Sequence, residues 1–365
     1  MRIWVLDPFL TAERRLWIDG WARHSRHSLF AFTLHPPSGP FSSFRLDIAR
    51  NRAERLARRI RRYLTGSAAR DPSRQPAGLP DLVIMTDGMD GAVFAEETAD
   101  LLASIPIWVY WHVSALACPE ISSPEARAVE IHTVRAVRRC LFHGESQRQR
   151  FLAALFRYDE GLATAIAKST AVLPPGFTPF PTPSEVQPSR EPLALWILRG
   201  EPEEIPRMIA AMDHRDLGQQ SFRLLLLSER PEIEANRVMQ LPHTLRARIL
   251  GILNPEDPKA RRWISTARAV VEGSIRLHSP IHLMRIAFEG PWPLLPSGST
   301  LLDQLPESIR ALCAYRDPKD LAERLAAALQ GVPGDPQEIR QALTAWTWPV
   351  LAPRYDELCE TAYAM

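Results

Sequence analysis

One repeated pattern constrains this chain more than any other. Short apolar runs that close on polar residues alternate with helical stretches; the series stops at a proline-rich segment and then restarts. In the first half "RIWVLDP", "SLFAFTL", "PDLVIMTD", "IPIWVYWH", "RRCLFHG" and "TAVLPPG" read as strands. Between them "ERRLWIDGWARHS", "GAVFAEETADLLAS" and "ESQRQRFLAALF" read as helices. Strands that alternate with helices predict an α/β fold with a parallel, doubly wound sheet. Function in such sheets gathers at the carboxyl ends of the strands. That places Asp7, Asp87, His112 and His143 near one rim.

From Pro174 to Pro192 the chain reads "PPGFTPFPTPSEVQPSREP", a stiff proline-rich linker. The alternation then resumes with "LALWILRG", "EEIPRMIAAMD", "FRLLLLSE" and "AVVEGSI". "DPKDLAERLAAALQ" is an amphipathic helix with Asp317-Pro318 at its start. The expected division is a Rossmann-like domain over 1–178, a linker over 179–192 and a second Rossmann-like domain over 193–335. A C-terminal segment over 336–365 is expected to return to the first domain as a helix.

Composition narrows the class. The chain has 365 residues, 45% of them apolar and 24% charged, enough for two full cores. A net charge of +2 marks neither a strongly basic nor a strongly acidic protein. Cys118, Cys140, Cys313 and Cys359 have no zinc-ligand or CxxC spacing, so no metal site is expected and the thiols are expected reduced and buried. "MRIWVLDPFL" is too short and too polar for a signal peptide, and no run has the roughly 20 apolar residues of a spanning helix. The expectation is a cytoplasmic protein with no membrane partner.

Several motifs, in order, resemble a known family. The stretches are "DPFLTAERRLWIDGWARHSRH", "PDLVIMTDGMD", "IPIWVYWHVSALACP", "CLFHGESQRQRFL" and "KSTAVLPPGF", then "PLLPSGSTLLDQLPE", "YRDPKDL" and "TWPVLAPRYDEL". Together they resemble the GT-B glycosyltransferases, and more narrowly the tRNA-queuosine alpha-mannosyltransferases. The resemblance implies GT-B architecture: two Rossmann-like domains whose parallel sheets face a central cleft. It implies sugar transfer from a nucleotide sugar such as GDP-mannose, with no permanently bound cofactor, to a modified tRNA nucleoside. On it, His112 and Asp87 are the catalytic candidates, and Arg199, Arg285 and Glu289 are the candidates for holding the donor.

The departures from the family pattern fall on the chemistry. Thr11, Ala12, Glu13 and Arg14 stand where the family has a G-G-S-H loop, and only glycines let a ligand approach the backbone closely. Of H-E-N-Q only His112 is kept. In the second half the two glutamates of E-F-F-G-x-x-x-x-E fall on Leu277 and Arg285, and its glycine on Pro280. Each lost charge-assisted bond is worth roughly 1.5–3 kcal/mol. Two readings therefore stand side by side. One is a diverged glycosyltransferase. The other is a catalytically inactive homologue that binds RNA, or a protein partner of the same family.

"LDIARNRAERLARRIRRYL" gives the RNA reading a surface. Ala49, Ala53, Leu56, Ile60 and Leu64 share one helical face. Arg52, Arg55, Arg59 and Arg62 share another, with Arg58 and Arg61 beside them. Such a face is either a solvated charge run or a contact for a phosphate backbone.

Overall fold

The computed structural model describes residues 1–34, 46–65, 78–118, 122–181, 191–274, 280–331 and 333–363. The chain divides into two compact units, Met1–Gly176 with Trp348–Met365, and Phe177–Thr347. Residues 182–190, most of the expected linker, lie outside the described residues, as does Leu277.

The first unit is built on β1 (Arg2–Asp7), β2 (Ser28–Thr33), β3 (Leu82–Thr86), β4 (Ile107–Trp111), β5 (Arg139–Phe142) and β6 (Thr170–Val172). These strands form one sheet in the order β2-β1-β3-β4-β5-β6, every neighbouring pair parallel. β3, β4 and β5 are buried at every position, which is why they read as unbroken apolar runs. The strand order reverses direction beside β1, so the rim at β1, β3 and β4 is the topological switch point.

The second unit repeats the plan. β7 (Glu191–Leu198), β8 (Arg223–Ser228), β9 (Ile249–Leu253), β10 (Ala267–Glu272), β11 (Trp292–Pro296) and β12 (Ala314–Tyr315) pair in parallel in the order β12-β11-β10-β7-β8-β9. β9 was not among the expected strands. It is a half-exposed edge strand, ILGIL, with Gly251 in its middle, a position that weakens a strand.

The first unit also owns the end of the chain. The sequence set the return at 336, but the helix Pro336–Thr344 lies in the second unit and the chain re-enters the first at Trp348. The helix Trp348–Glu360 packs on α1 (Ala12–His24). Trp17 Nε1 donates to the Tyr355 hydroxyl at 3.2 Å, and Trp21 Nε1 to Asp356 at 3.3 Å. Two glycines admit the Trp348 indole: a Cβ on Gly20 would lie 1.9 Å from its Nε1, and one on Gly176 would lie 2.5 Å from its ring.

That contact decides a contest of effects. Alanine favours a helix over glycine by about 1 kcal/mol, whereas overpacking a closed core costs about 1–3 kcal/mol. Gly20→Ala is expected to lower stability in a urea titration, against its helix propensity. An unchanged or raised midpoint would mean that Trp348 does not sit on Gly20.

Candidate functional site

Each unit has its polar residues at the carboxyl ends of its strands, and in each the charged groups meet one another. In the first unit Asp7 closes β1 and Thr86 closes β3, with Asp87 next in the chain. α1 starts five residues after Asp7, capped by the Thr11 hydroxyl, which accepts the Arg14 amide at 3.2 Å. This start turns Arg14 inward across the rim. Its guanidinium donates to Asp7 at 3.1 Å, to the Thr86 hydroxyl at 3.1 Å, and to Asp87 Oδ2 at 2.5 Å. Asp7 Oδ1 also accepts the Phe9 amide at 2.8 Å. Asp87 Oδ1 accepts the backbone amides of His112 at 2.8 Å and Val113 at 3.3 Å. All three charged residues are buried. Burial pushes the Asp87 carboxyl up, and Arg14 and the His112 amide offset only part of that rise.

The sequence expected Arg14 to mark a lost glycine loop. The structure puts its cation between the two carboxylates. It also brings the catalytic candidates Asp87 and His112 together, but through the backbone of His112. The His112 ring lies in an aromatic wall, 4.9 Å from Trp17, 4.8 Å from Tyr110 and 5.3 Å from His143 between ring centres. Both its ring nitrogens are buried and reach no partner among the described residues. Burial, with Arg14 and His143 nearby, holds its pKa well below the usual histidine range, so the ring is neutral at pH 7. Asp90 caps the helix Gly91–Glu97 through the amides of Ala92 and Val93; Asp87 does not.

The sequence did not single out Glu130. It rises from the helix Pro124–Ala136 and accepts the amides of Ala115 at 2.6 Å and Leu116 at 2.9 Å, and the Ser114 hydroxyl at 2.8 Å. It thereby fixes the loop that follows His112. Its burial pushes the carboxyl up to about 8.

The second unit repeats this device. Glu204 accepts the amides of Arg199 at 2.8 Å and Glu201 at 2.9 Å, pinning the turn after β7, where Gly200 takes φ +86°. It too is raised to about 8 by burial. Arg199, the donor-phosphate candidate, forms an ion pair with Glu272 at 2.9 Å, and both side chains are nearly buried. Glu272 closes β10, so the signal that marked Asp87, an acid at the end of an apolar run, was present in "AVVEG" as well.

Arg285 and Glu289 lie on and just beyond the helix Ile281–Phe288. Arg285 is an internal tie. It pairs with Glu256, donates to the Thr178 carbonyl at 2.9 Å and stacks 4.0 Å over the Phe180 ring. The ring of His282, one turn earlier, lies 3.5 Å from Glu256 and 3.3 Å from Glu229. Despite burial, His282 and Arg285 hold Glu256 down at about 2. Glu289 forms the C-cap of that helix and is half-buried.

The arginine helix α2 (Leu46–Thr65) forms as expected, but its charges part company. Arg52 does not share the open face with Arg55, Arg59 and Arg62. It is 7% exposed, donates to the Gly88 carbonyl at 3.0 Å and lies 4.4 Å over the Phe9 ring. Desolvation lowers it to about 10. The expected offset was too coarse: Arg52 is four residues from Leu56 and three from Ala49, and so lies at the edge of the apolar stripe. All four cysteines are buried and free. Among the described residues no helix is long and apolar enough to cross a membrane.

Two switch-point rims on two parallel six-stranded sheets define the class of fold, and solved structures agree. The chain is similar over 100% of its length to 99% of the catalytic domain of starch synthase IV from Arabidopsis thaliana, solved with ADP and acarbose, at TM-score 0.66 and 12% identity. It covers 98% of a glycosyltransferase from Rickettsia africae at 0.63 and 11%. It covers 100% of an alpha,alpha-trehalose-phosphate synthase (UDP-forming) from Burkholderia xenovorans at 0.62 and 11%. The fold is therefore that of the GT-B glycosyltransferases, two Rossmann-like domains. No protein-family model matches the sequence, and no curated protein is similar to it.

Two outcomes follow from these geometries. Removing one member of a buried ion cluster costs about 3–5 kcal/mol. Arg14→Leu should lose about that much at pH 7, and less in mild acid, where Asp87, without its cation, takes up a proton. Equal losses at pH 5 and pH 7 in denaturant titrations would contradict the cluster. The raised carboxyls of Glu130 and Glu204 bind protons in the folded protein that the unfolded chain has released. Their contribution is full below about pH 4.5 and is lost as pH rises to about 8. Between pH 6.5 and 8 each costs up to about 1.4 kcal/mol per pH unit. Glu130→Gln and Glu204→Gln should each flatten the fall in Tm over that interval; an unaltered slope would show that neither is protonated.

Proposed function

We propose that this chain is a GT-B glycosyltransferase homologue that acts by binding, to RNA or to a protein partner of the same fold, and does not itself turn over a nucleotide sugar. The observation that carries this reading is the Arg14 guanidinium between Asp7 and Asp87. A rim meant for a polar ligand must keep hydrogen-bonding groups available to it. Here Asp87 is committed to Arg14 and to two backbone amides. The cations of the second unit point the same way. A departing diphosphate needs cations or helix N-termini to take up its charge, and Arg199 and Arg285 are both engaged with glutamates. Any phosphate on Arg199 would have to displace Glu272 and would meet Glu201 close by.

A second reading, a diverged transferase that moves a sugar such as mannose from GDP-mannose to queuosine in tRNA, keeps one observation on its side. The neutral His112 ring offers two nitrogens with no partner among the described residues, and a neutral imidazole is a competent general base. Turnover of GDP-mannose by the purified chain on queuosine-containing tRNA separates the two. The expected result is no transfer and no saturable heat of GDP-mannose binding. Transfer that vanishes in both His112→Ala and Arg199→Ala would establish the second reading instead.

A further inference from the structure

We infer that α2 carries a separate site for a run of phosphate groups, formed by Arg55, Arg58, Arg59 and Arg62 over Leu34. These five residues line a cavity of about 520 Å³. A second cavity of about 460 Å³ shares Leu34 and Arg55 with it and extends along the helix past Asn51 to Arg52 and Pro8. Among the described residues the first has no carboxylate in its lining, whereas the second has Asp47.

A merely solvated arginine face mixes its charges with acids, and elsewhere on the same helix this one does. Arg61 grips Asp100 at 2.6 Å and also the Glu97 carbonyl. In the groove the pairing stops. Arg55 and Arg62 make no hydrogen bond or ion pair with any described residue. Arg58 has only Glu54, at 3.8 Å, and that contact is exposed. Arg59 spends one N–H on the Thr33 carbonyl, which anchors its stem beside β2 and leaves the rest of the fork available.

The floor is tied to the sheet by its backbone. Leu34 is buried; its amide donates to the Asp7 carbonyl at 2.9 Å, and its carbonyl accepts the Leu10 amide at 3.2 Å. The arginines stand over it, and guanidinium forks suit phosphate oxygens in pairs. Arg55 to Arg62 spans two helical turns, about 10 Å. Phosphates advance about 3.4 Å along one strand of a duplex, so the groove is long enough for about three such steps. A free oligophosphate and the backbone of an RNA both present that chemistry. The site belongs to neither strand rim; in its RNA form it rests on the RNA-binding reading of the proposed function, whereas a free oligophosphate in it is independent of that reading.

The test is binding, not turnover, with the full chain. Sodium tripolyphosphate is titrated by calorimetry, and a fluorescent single-stranded RNA by anisotropy across a salt series. The groove triple R55Q/R58Q/R62Q is compared with R138Q/R150Q/R157Q, which removes the same charge from exposed arginines elsewhere on the first unit. The groove triple should weaken binding at least tenfold, and the control less than twofold. Loss of tripolyphosphate binding identifies a free oligophosphate as ligand. A loss confined to RNA, with the log–log salt slope shallower by about 2, identifies the backbone. Equal losses in the two triples, or binding of neither probe by the wild type, overturn the site. If the groove triple does not fold, R55E alone is read by the same criteria, since Arg55 supports no other described contact.

Discussion

Much of the first unit depends on one buried cation. Arg14 holds two carboxylates, Asp7 and Asp87, that lie at the ends of neighbouring strands and would repel each other without it. Asp87 in turn accepts the amides that begin the loop after β4, and Glu130 continues that support at residues 114–116. The path from α1 through the sheet ends to the loop after His112 is thus a continuous set of hydrogen bonds, charge-assisted at Arg14 and Asp87. Buried ion clusters of this kind gain little net stability over apolar packing, but breaking them is expensive. Their effect is to fix one arrangement. A rim locked in that way has little capacity left to rearrange around a ligand.

The second unit reaches the same state with different residues. Glu272 closes on Arg199, Glu204 pins the turn beneath it, and Glu256 closes on Arg285 and His282. In both units side chains of one sign have found partners of the other sign inside the same unit.

The fold was legible because buried parallel strands must be apolar throughout. β3, β4, β5 and β8 announce themselves by composition alone, and the acids that end them mark the rim. The edge strand β9 was passed over although "ILGIL" is apolar apart from Gly251, a residue that weakens a strand reading. The site was legible only as a set of positions. Asp87, His112 and Arg199 were picked out because they end strands. Glu130, which holds the loop after His112, Glu204, which accepts the Arg199 amide, and Glu256, which pairs with Arg285, stand 18, 5 and 29 residues away from His112, Arg199 and Arg285, and no periodicity connects them. Arg14 was read as an obstruction to a ligand; that it is a counter-ion depends on the inward turn at Thr11, which only the three-dimensional path defines.

The arginines of α2 show the same limit from the other side. Heptad geometry put Arg52, Arg55, Arg59 and Arg62 together, and a wheel cannot say which of them the sheet covers. Burial removed Arg52 and left Arg58 in the groove beside the other three. What separates the groove from the two rims is the fate of charge. At the rims every candidate cation has an internal carboxylate, whereas Arg55 and Arg62 have none among the described residues. That difference in the fate of charge is what assigns the proposed phosphate site to α2 and not to either strand rim.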